Sequence, residues 1–180
     1  TTNPKRCAEA DLIVLTTKAY GTAKAARQLR ALPLRACVLS LQNGLTNIPT
    51  LLRALRTVPI LGGSTPHGVT FLAPGRIRHA GRGQTLLGVA RGPRSLASEV
   101  AALFARAGLS SAVADDLDRI LWEKAVVNAA INPLTAVLRC PNGEILACPE
   151  ARLVSKGVAR EACAVAATVQ SGSATVMAAA

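Results

Sequence analysis

Lys124 sits on a leucine stripe. Leu117, Leu121, Lys124 and Asn128 fall at i, i+4, i+7 and i+11, which is one face of a helix. A stripe that opens with leucines faces protein, so its ammonium and amide point toward an interior or a cleft. An ammonium there can donate a proton to a carbonyl oxygen as negative charge develops, and an amide one turn on can hold the same ligand. Taken by spacing alone, the better account is plainer: a boundary lysine whose stem crosses the leucines while its head reaches water. Asn43, in Gln42-Asn43-Gly44, follows an apolar run, the place where open α/β sheets bind ligands. It can fix a cofactor amide or a substrate carbonyl, or simply make the turn that Asn-Gly favours. Lys18 follows another such run. It suits a phosphate or a reacting centre, though an ordinary exposed loop lysine is the more common case. Asn132 and Asn142 have adequate structural roles, the first as a helix cap before Pro133 and the second as a turn residue.

The elements that must carry these residues can be read from pattern. Leu12-Ile13-Val14-Leu15 and Cys37-Val38-Leu39-Ser40-Leu41 are short continuous apolar runs, the signature of strands buried on both faces of a parallel sheet. Helices over Thr22 to Leu32, stopped by Pro33, and through Leu51, Leu52 and Leu55 complete a β/α order. Val58 to Gly63, Thr65 to Leu72, Gly75 to Ala80 and Gln84 to Val89 are strand candidates between Gly and Pro turns, expected to pair antiparallel. A helix over Leu96 to Ala107 ends at Gly108, and Ser111 to Val113 adds a short strand. From Asp115 the chain reads as helical. Asp115, Asp116 and Asp118 cap and complement the start of the helix bearing Lys124. Asn132-Pro133 signals a second helix start, Pro141-Asn142-Gly143 a turn, and Pro149 to Val169 a long amphipathic helix with a frayed tail from Ser171. The domain boundary therefore falls near Asp115, where clefts between domains form.

Composition narrows the class. Half the residues are hydrophobic and 2% are aromatic, so the core is aliphatic and disorder is excluded. No apolar run is of membrane-spanning length and no signal-peptide pattern opens the chain, which starts at Thr1. Net charge is +11, yet the arginines are scattered singly and nearly no aromatics accompany them. That pattern fits a solvated surface better than a nucleic-acid site, with some charge left for an anionic substrate or a cofactor phosphate. The five cysteines form no CxxC and read as small buried hydrophobes in a reducing cytosol. His67 and His79 are far apart in sequence and lack an acidic partner pattern, which argues against a metal site.

Together these segments resemble the ketopantoate reductase (2-dehydropantoate 2-reductase) family. The matching blocks run from Asp11 to Tyr20, from Leu41 to Gly44 and from Gly63 to Gly68. The most specific are Leu121-Trp122-Glu123-Lys124, Asn128, Ile131-Asn132-Pro133-Leu134-Thr135-Ala136 and Cys140-Pro141-Asn142-Gly143-Glu144. The resemblance implies an α/β protein: a Rossmann-like NADP-binding portion over residues 1–114, then the first part of a helical substrate domain over 115–180. It implies reduction of 2-dehydropantoate to pantoate by NADPH in pantothenate and coenzyme A biosynthesis, in the cytoplasm. Lys124 would be the proton donor, and Asn128, Asn132 and Asn142 the substrate-binding amides. Lys18 and Asn43 would lie near the nicotinamide, and Val69 would make a backbone contact to the cofactor. The position of Lys124 at the boundary, followed by these asparagines, reverses the preference for snorkelling.

Two departures accompany the resemblance. The family's GxGxxG turn and its 2′-phosphate-binding basic residue have no counterpart in residues 1–180, nor do its later serine and glutamate. The expectation is therefore the middle of a reductase, whose 180 residues by themselves bind NADPH poorly or not at all and can be inactive alone; a homodimer is compatible with it. Two other readings compete: a related 2-keto acid dehydrogenase, and a non-catalytic basic module that binds polyanions with steep salt dependence.

Overall fold

A computed structural model describes residues 3–33 and 35–178, with side chains described as far as Val169. The chain divides into two compact units, residues 1–121 and 122–180.

In the first unit, β1 (Leu12–Leu15), β2 (Cys37–Ser40) and β3 (Ile60–Ser64) are parallel, joined by α1 (Thr22–Arg30) and α2 (Asn47–Ala54). β4 (Gly68–Ala73) and β5 (Arg76–Gly81) form a separate antiparallel ribbon, while β6 (Thr85–Arg91) returns antiparallel to β3. α3 (Ser95–Arg106) and β7 (Ser111–Val113) follow, giving a five-stranded sheet of order β1-β2-β3-β6-β7. Antiparallel pairing thus holds for β4 with β5 and for β3 with β6. β5 and β6, consecutive in sequence, lie in different sheets. Pro74 and Gly75 make the ribbon's turn, with Gly75 at φ +74°, and Gly108 ends α3 at φ +76°.

The alternation of β2 shows why both sheet faces are covered. Val38 packs with Ile13, Leu15, Leu29, Leu51 and Ile60 beneath α1 and α2. Cys37 and Leu39 pack with Leu61, Leu87, Ala97 and Val100 beneath α3. All of β2 is buried, as its continuous apolar run requires. β1 departs from the same expectation: Leu12 is half-buried and Val14 exposed. The reason is topological, since β1 is an edge of the sheet.

Two features anchor the elements that leave this sheet. Arg91, one of the arginines read as solvated, is in fact a structural clamp at the end of β6. Its guanidinium donates to the carbonyls of Leu52 (3.3 Å), Leu55 and Val58 (2.7 Å), satisfying carbonyls that the end of α2 leaves free. Arg91→Met is expected to lower stability by about 2 kcal/mol, because it strands several half-buried acceptors; urea unfolding midpoints measure it. Gly62 and Gly88 are register partners on β3 and β6. A Cβ on either would lie 2.9 Å from Leu117, so the paired glycines form a dent that receives this side chain.

Leu117 opens α4 (Leu117–Leu138), whose cap is Asp116, with Oδ1 accepting from the Arg119 N–H at 2.9 Å. Leu117 and Ile120 belong to the sheet core. Leu117 and Ile120 thus belong to the first compact unit, which runs to Leu121, within α4. The second start signal at Asn132-Pro133 is not used, as Pro133 lies inside α4. Apolar positions keep helical register across it, with Ala130 buried and Leu134 half-buried, and that burial outweighs the one N–H bond lost. α4 ends at Arg139, a non-glycine residue at φ +52°, with the Cys140 N–H closing back onto the Thr135 carbonyl at 3.2 Å.

The expected turn at Pro141-Asn142-Gly143 is instead the entrance to α5 (Asn142–Ala147), anchored by buried Ile145. Pro141 supplies the extended residue before the helix. α6 runs Pro149–Ala178, past the point where composition suggested fraying; its side chains beyond Val169 lie outside the described residues. The cysteines also depart from expectation. Only Cys37 is buried, Cys7 and Cys140 are half-buried, and Cys148 and Cys163 are exposed. Burial pushes the Cys37 thiol up to about 11, which keeps it neutral and inert. Among the described residues no helix is long and apolar enough to cross a membrane.

Candidate functional site

Parallel pairing decides where Lys18 and Asn43 stand. Leu15 is registered with Ser40, and Ser40 with Gly62, so β1, β2 and β3 present their carboxyl ends at one edge of the sheet. Lys18 follows Leu15 by three residues and Asn43 follows Ser40 by three. The segment leading to Val69 begins at the carboxyl end of β3. Lys18 and Asn43 are both exposed, and Val69 is 56% exposed on β4. A Cβ placed on Gly44 would lie 4.0 Å from Ala19 Cβ, so the loops after β1 and β2 touch. Gly44 has φ +106°, a conformation that glycine alone adopts readily.

These loops rest on a buried polar cluster that the sequence reading did not single out. Gln42, Thr22 and Asn47 are 6%, 2% and 1% exposed. Gln42 Nε2 donates to the Thr17 carbonyl (2.8 Å) and to Thr22 Oγ1 (2.9 Å). Thr22 Oγ1 donates to Asn47 Oδ1 (2.7 Å), and Asn47 Nδ2 donates to the carbonyls of Asn43 (2.9 Å) and Gly44 (3.2 Å). The signal available in sequence was a polar residue at each helix entrance following an apolar run.

His67 and His79, distant in sequence, are neighbours in space. The register of Val69 with His79 brings the rings together, with His67 Nδ1 and His79 Nε2 2.9 Å apart. His67 Nε2 is buried without a hydrogen-bond partner among the described residues. No group of three or more potential metal ligands occurs among the described residues.

In the second unit Lys124 and Asn128 are both half-buried on α4. They are four residues apart, about 40° around the helix, so they share a face. Burial lowers the Lys124 pKa from the ordinary lysine value, bringing the ammonium toward the range in which it readily gives up a proton. Asn132, one further turn on, is exposed, and its carbonyl accepts from Thr135 Oγ1 at 3.0 Å. Asn142 is exposed at the first turn of α5.

Residues 1–92 match the family described as ketopantoate reductase PanE/ApbA, and residues 116–178 match its C-terminal portion. The chain belongs to the ketopantoate reductase family. The 2-dehydropantoate 2-reductase of Halobacterium salinarum is 40% identical over 163 residues, covering 87% of this chain and 54% of the relative. That of Archaeoglobus fulgidus is 39% identical over 154 residues, covering 85% and 51%. Among solved structures, the ketopantoate reductase of Ralstonia eutropha JMP134 superposes with TM-score 0.80 at 32% identity, covering 94% of this chain and 56% of that one. D-mandelate dehydrogenase with NADH and anilino(oxo)acetate superposes with TM-score 0.82 at 25% identity, covering 89% and 52%. The chain thus spans about half the length of the relatives it matches.

Proposed function

We propose that the protein carrying this chain reduces 2-dehydropantoate to pantoate with NADPH, a cytoplasmic step toward pantothenate and coenzyme A. The observation that supports this most is Lys124: half-buried, lowered in pKa by burial, and sharing a helix face with Asn128. Residues 1–121 contribute the cofactor side. The exposed Asn43 amide and the Lys18 ammonium, both following strand carboxyl ends, and the backbone of Val69 on β4 fit a nicotinamide and its attached phosphate-bearing portion. When bound, the cofactor supplies a hydride to the ketone carbon. Residues 122–180 contribute the substrate side. Lys124 Nζ gives its proton to the ketone oxygen as that oxygen gains charge, so ketone, NADPH and one proton become alcohol and NADP⁺. Asn128, Asn132 and Asn142 donate and accept hydrogen bonds to the keto acid.

The full-length protein should consume NADPH at 340 nm when given ketopantoate. Absence of ketopantoate-dependent turnover would remove this reading. The likeness to D-mandelate dehydrogenase, solved with NADH, favours a second one, in which a bulkier 2-keto acid and NADH are used. A higher kcat/KM for phenylglyoxylate with NADH than for ketopantoate with NADPH would select it.

A further inference from the structure

We propose that the buried chain Ser40–Gln42–Thr22–Asn47 is a positioning device that sets the Lys18 and Asn43 loops for the cofactor; this rests on the reductase reading above. Its hydrogens all run one way. The Ser40 hydroxyl donates to Gln42 Oε1 at 3.1 Å, and the Gln42 amide donates to Thr22 Oγ1. The Thr22 hydroxyl donates to Asn47 Oδ1, and the Asn47 amide ends on the carbonyls of Asn43 and Gly44. The opposite amide orientations would set oxygen against oxygen at the Thr17 carbonyl and at Asn43, so the direction is fixed by chemistry. Aligned donors of this kind polarise and strengthen one another in a low-dielectric interior.

The chain joins four elements at one edge of the sheet. Gln42 also holds the Thr17 carbonyl, directly before Lys18. Thr22 opens α1, and Asn47 opens α2. Packing alone does not account for three polar side chains buried at 6%, 2% and 1% exposure, since apolar groups of equal shape stabilise a core as well. What the polar chain adds is a defined separation between the loop after β1 and the loop after β2. A nicotinamide spanning Lys18 and Asn43 needs that separation held before it binds.

Thr22→Val keeps the side-chain volume and removes the hydroxyl at the middle of the chain, whereas Thr22→Ser keeps the hydroxyl. Ser40→Ala removes only the first donor and perturbs packing least. In the full-length protein without cofactor, Thr22→Val should speed amide exchange in segments 17–21 and 43–47 by about tenfold, with α3 and β6 unchanged. Ser40→Ala should do so by about threefold in the same segments, and Thr22→Ser should match the wild type. In steady-state assays Thr22→Val should raise the KM for NADPH about tenfold with kcat within about threefold, and Thr22→Ser should restore it. Exchange that is unchanged, or that rises uniformly across residues 1–121, overturns the proposal. A fall in kcat with KM unchanged does so too. The exchange measurements need no cofactor. A protein that never oxidises NADPH would defeat the reductase reading while exchange still judged the network.

Discussion

Lys124→Met is expected to lower kcat of the full-length protein by about 10³-fold while leaving cofactor affinity within about twofold. Methionine keeps the length and the apolar stem, so packing along the α4 stripe is retained while the charge and the transferable proton are lost. A residue that merely snorkels would give a variant with near-normal turnover, and that result would end the assignment.

The pH dependence of Lys124 runs in opposite directions for catalysis and for stability. Burial lowers the Lys124 pKa in the folded state, so kcat should fall with rising pH below the ordinary lysine value of about 10.4. For stability, the unfolded chain binds more protons than the folded one between the lowered pKa and about 10.4. Stability of the wild type relative to Lys124→Met should therefore rise with pH across that window and be constant below it. Denaturant titrations of both proteins from neutral pH to pH 10 measure this difference.

Gly88→Ala should destabilise the protein by about 3 kcal/mol. The added Cβ would sit 2.9 Å from Leu117 Cβ and 3.2 Å from its Cα, and neither atom can swing aside as a side-chain tip would. Relief requires the first turn of α4 to rise from the sheet. Leu117→Ala alone costs the burial of a side chain that is 8% exposed. It should cost less when Gly88 is already alanine, because the rise has then been made. A double-mutant cycle by urea unfolding reads the coupling, expected at about 1 kcal/mol or more. Strict additivity would mean that the dent does not seat Leu117.

What the sequence discloses follows from how local each signal is. β2 and α3 were legible because their apolar periodicity and their Gly and Pro boundaries lie within a few residues. The stripe through Leu117, Leu121, Lys124 and Asn128 was legible for the same reason, since one helix carries all four. Asn132-Pro133 misled because a capping signal is local while the packing that overrides it, around Ala130 and Leu134, is not. The histidine pair was hidden because twelve residues separate its members, and only the strand register of the ribbon joins them. The Thr22–Asn47 bond spans 25 residues, and Arg91 reaches back 39 residues to Leu52. Neither leaves a mark in the local pattern. Of the candidate site, the residue types at strand ends were readable, but not the buried amides beneath them.

The position of β1 has a consequence for handling. Its outer side carries no strand among the described residues, and its sequence, Leu-Ile-Val-Leu, lacks the lysine, proline or bulge that usually blunts such a border. A row of backbone donors and acceptors flanked by aliphatic side chains is a template for any incoming strand, a second copy included. Association of copies border to border, rising with concentration, is the expected outcome where that side stays open, and light scattering measures it. The Val14 side chain, 39% exposed, would be among the first apolar groups to be covered.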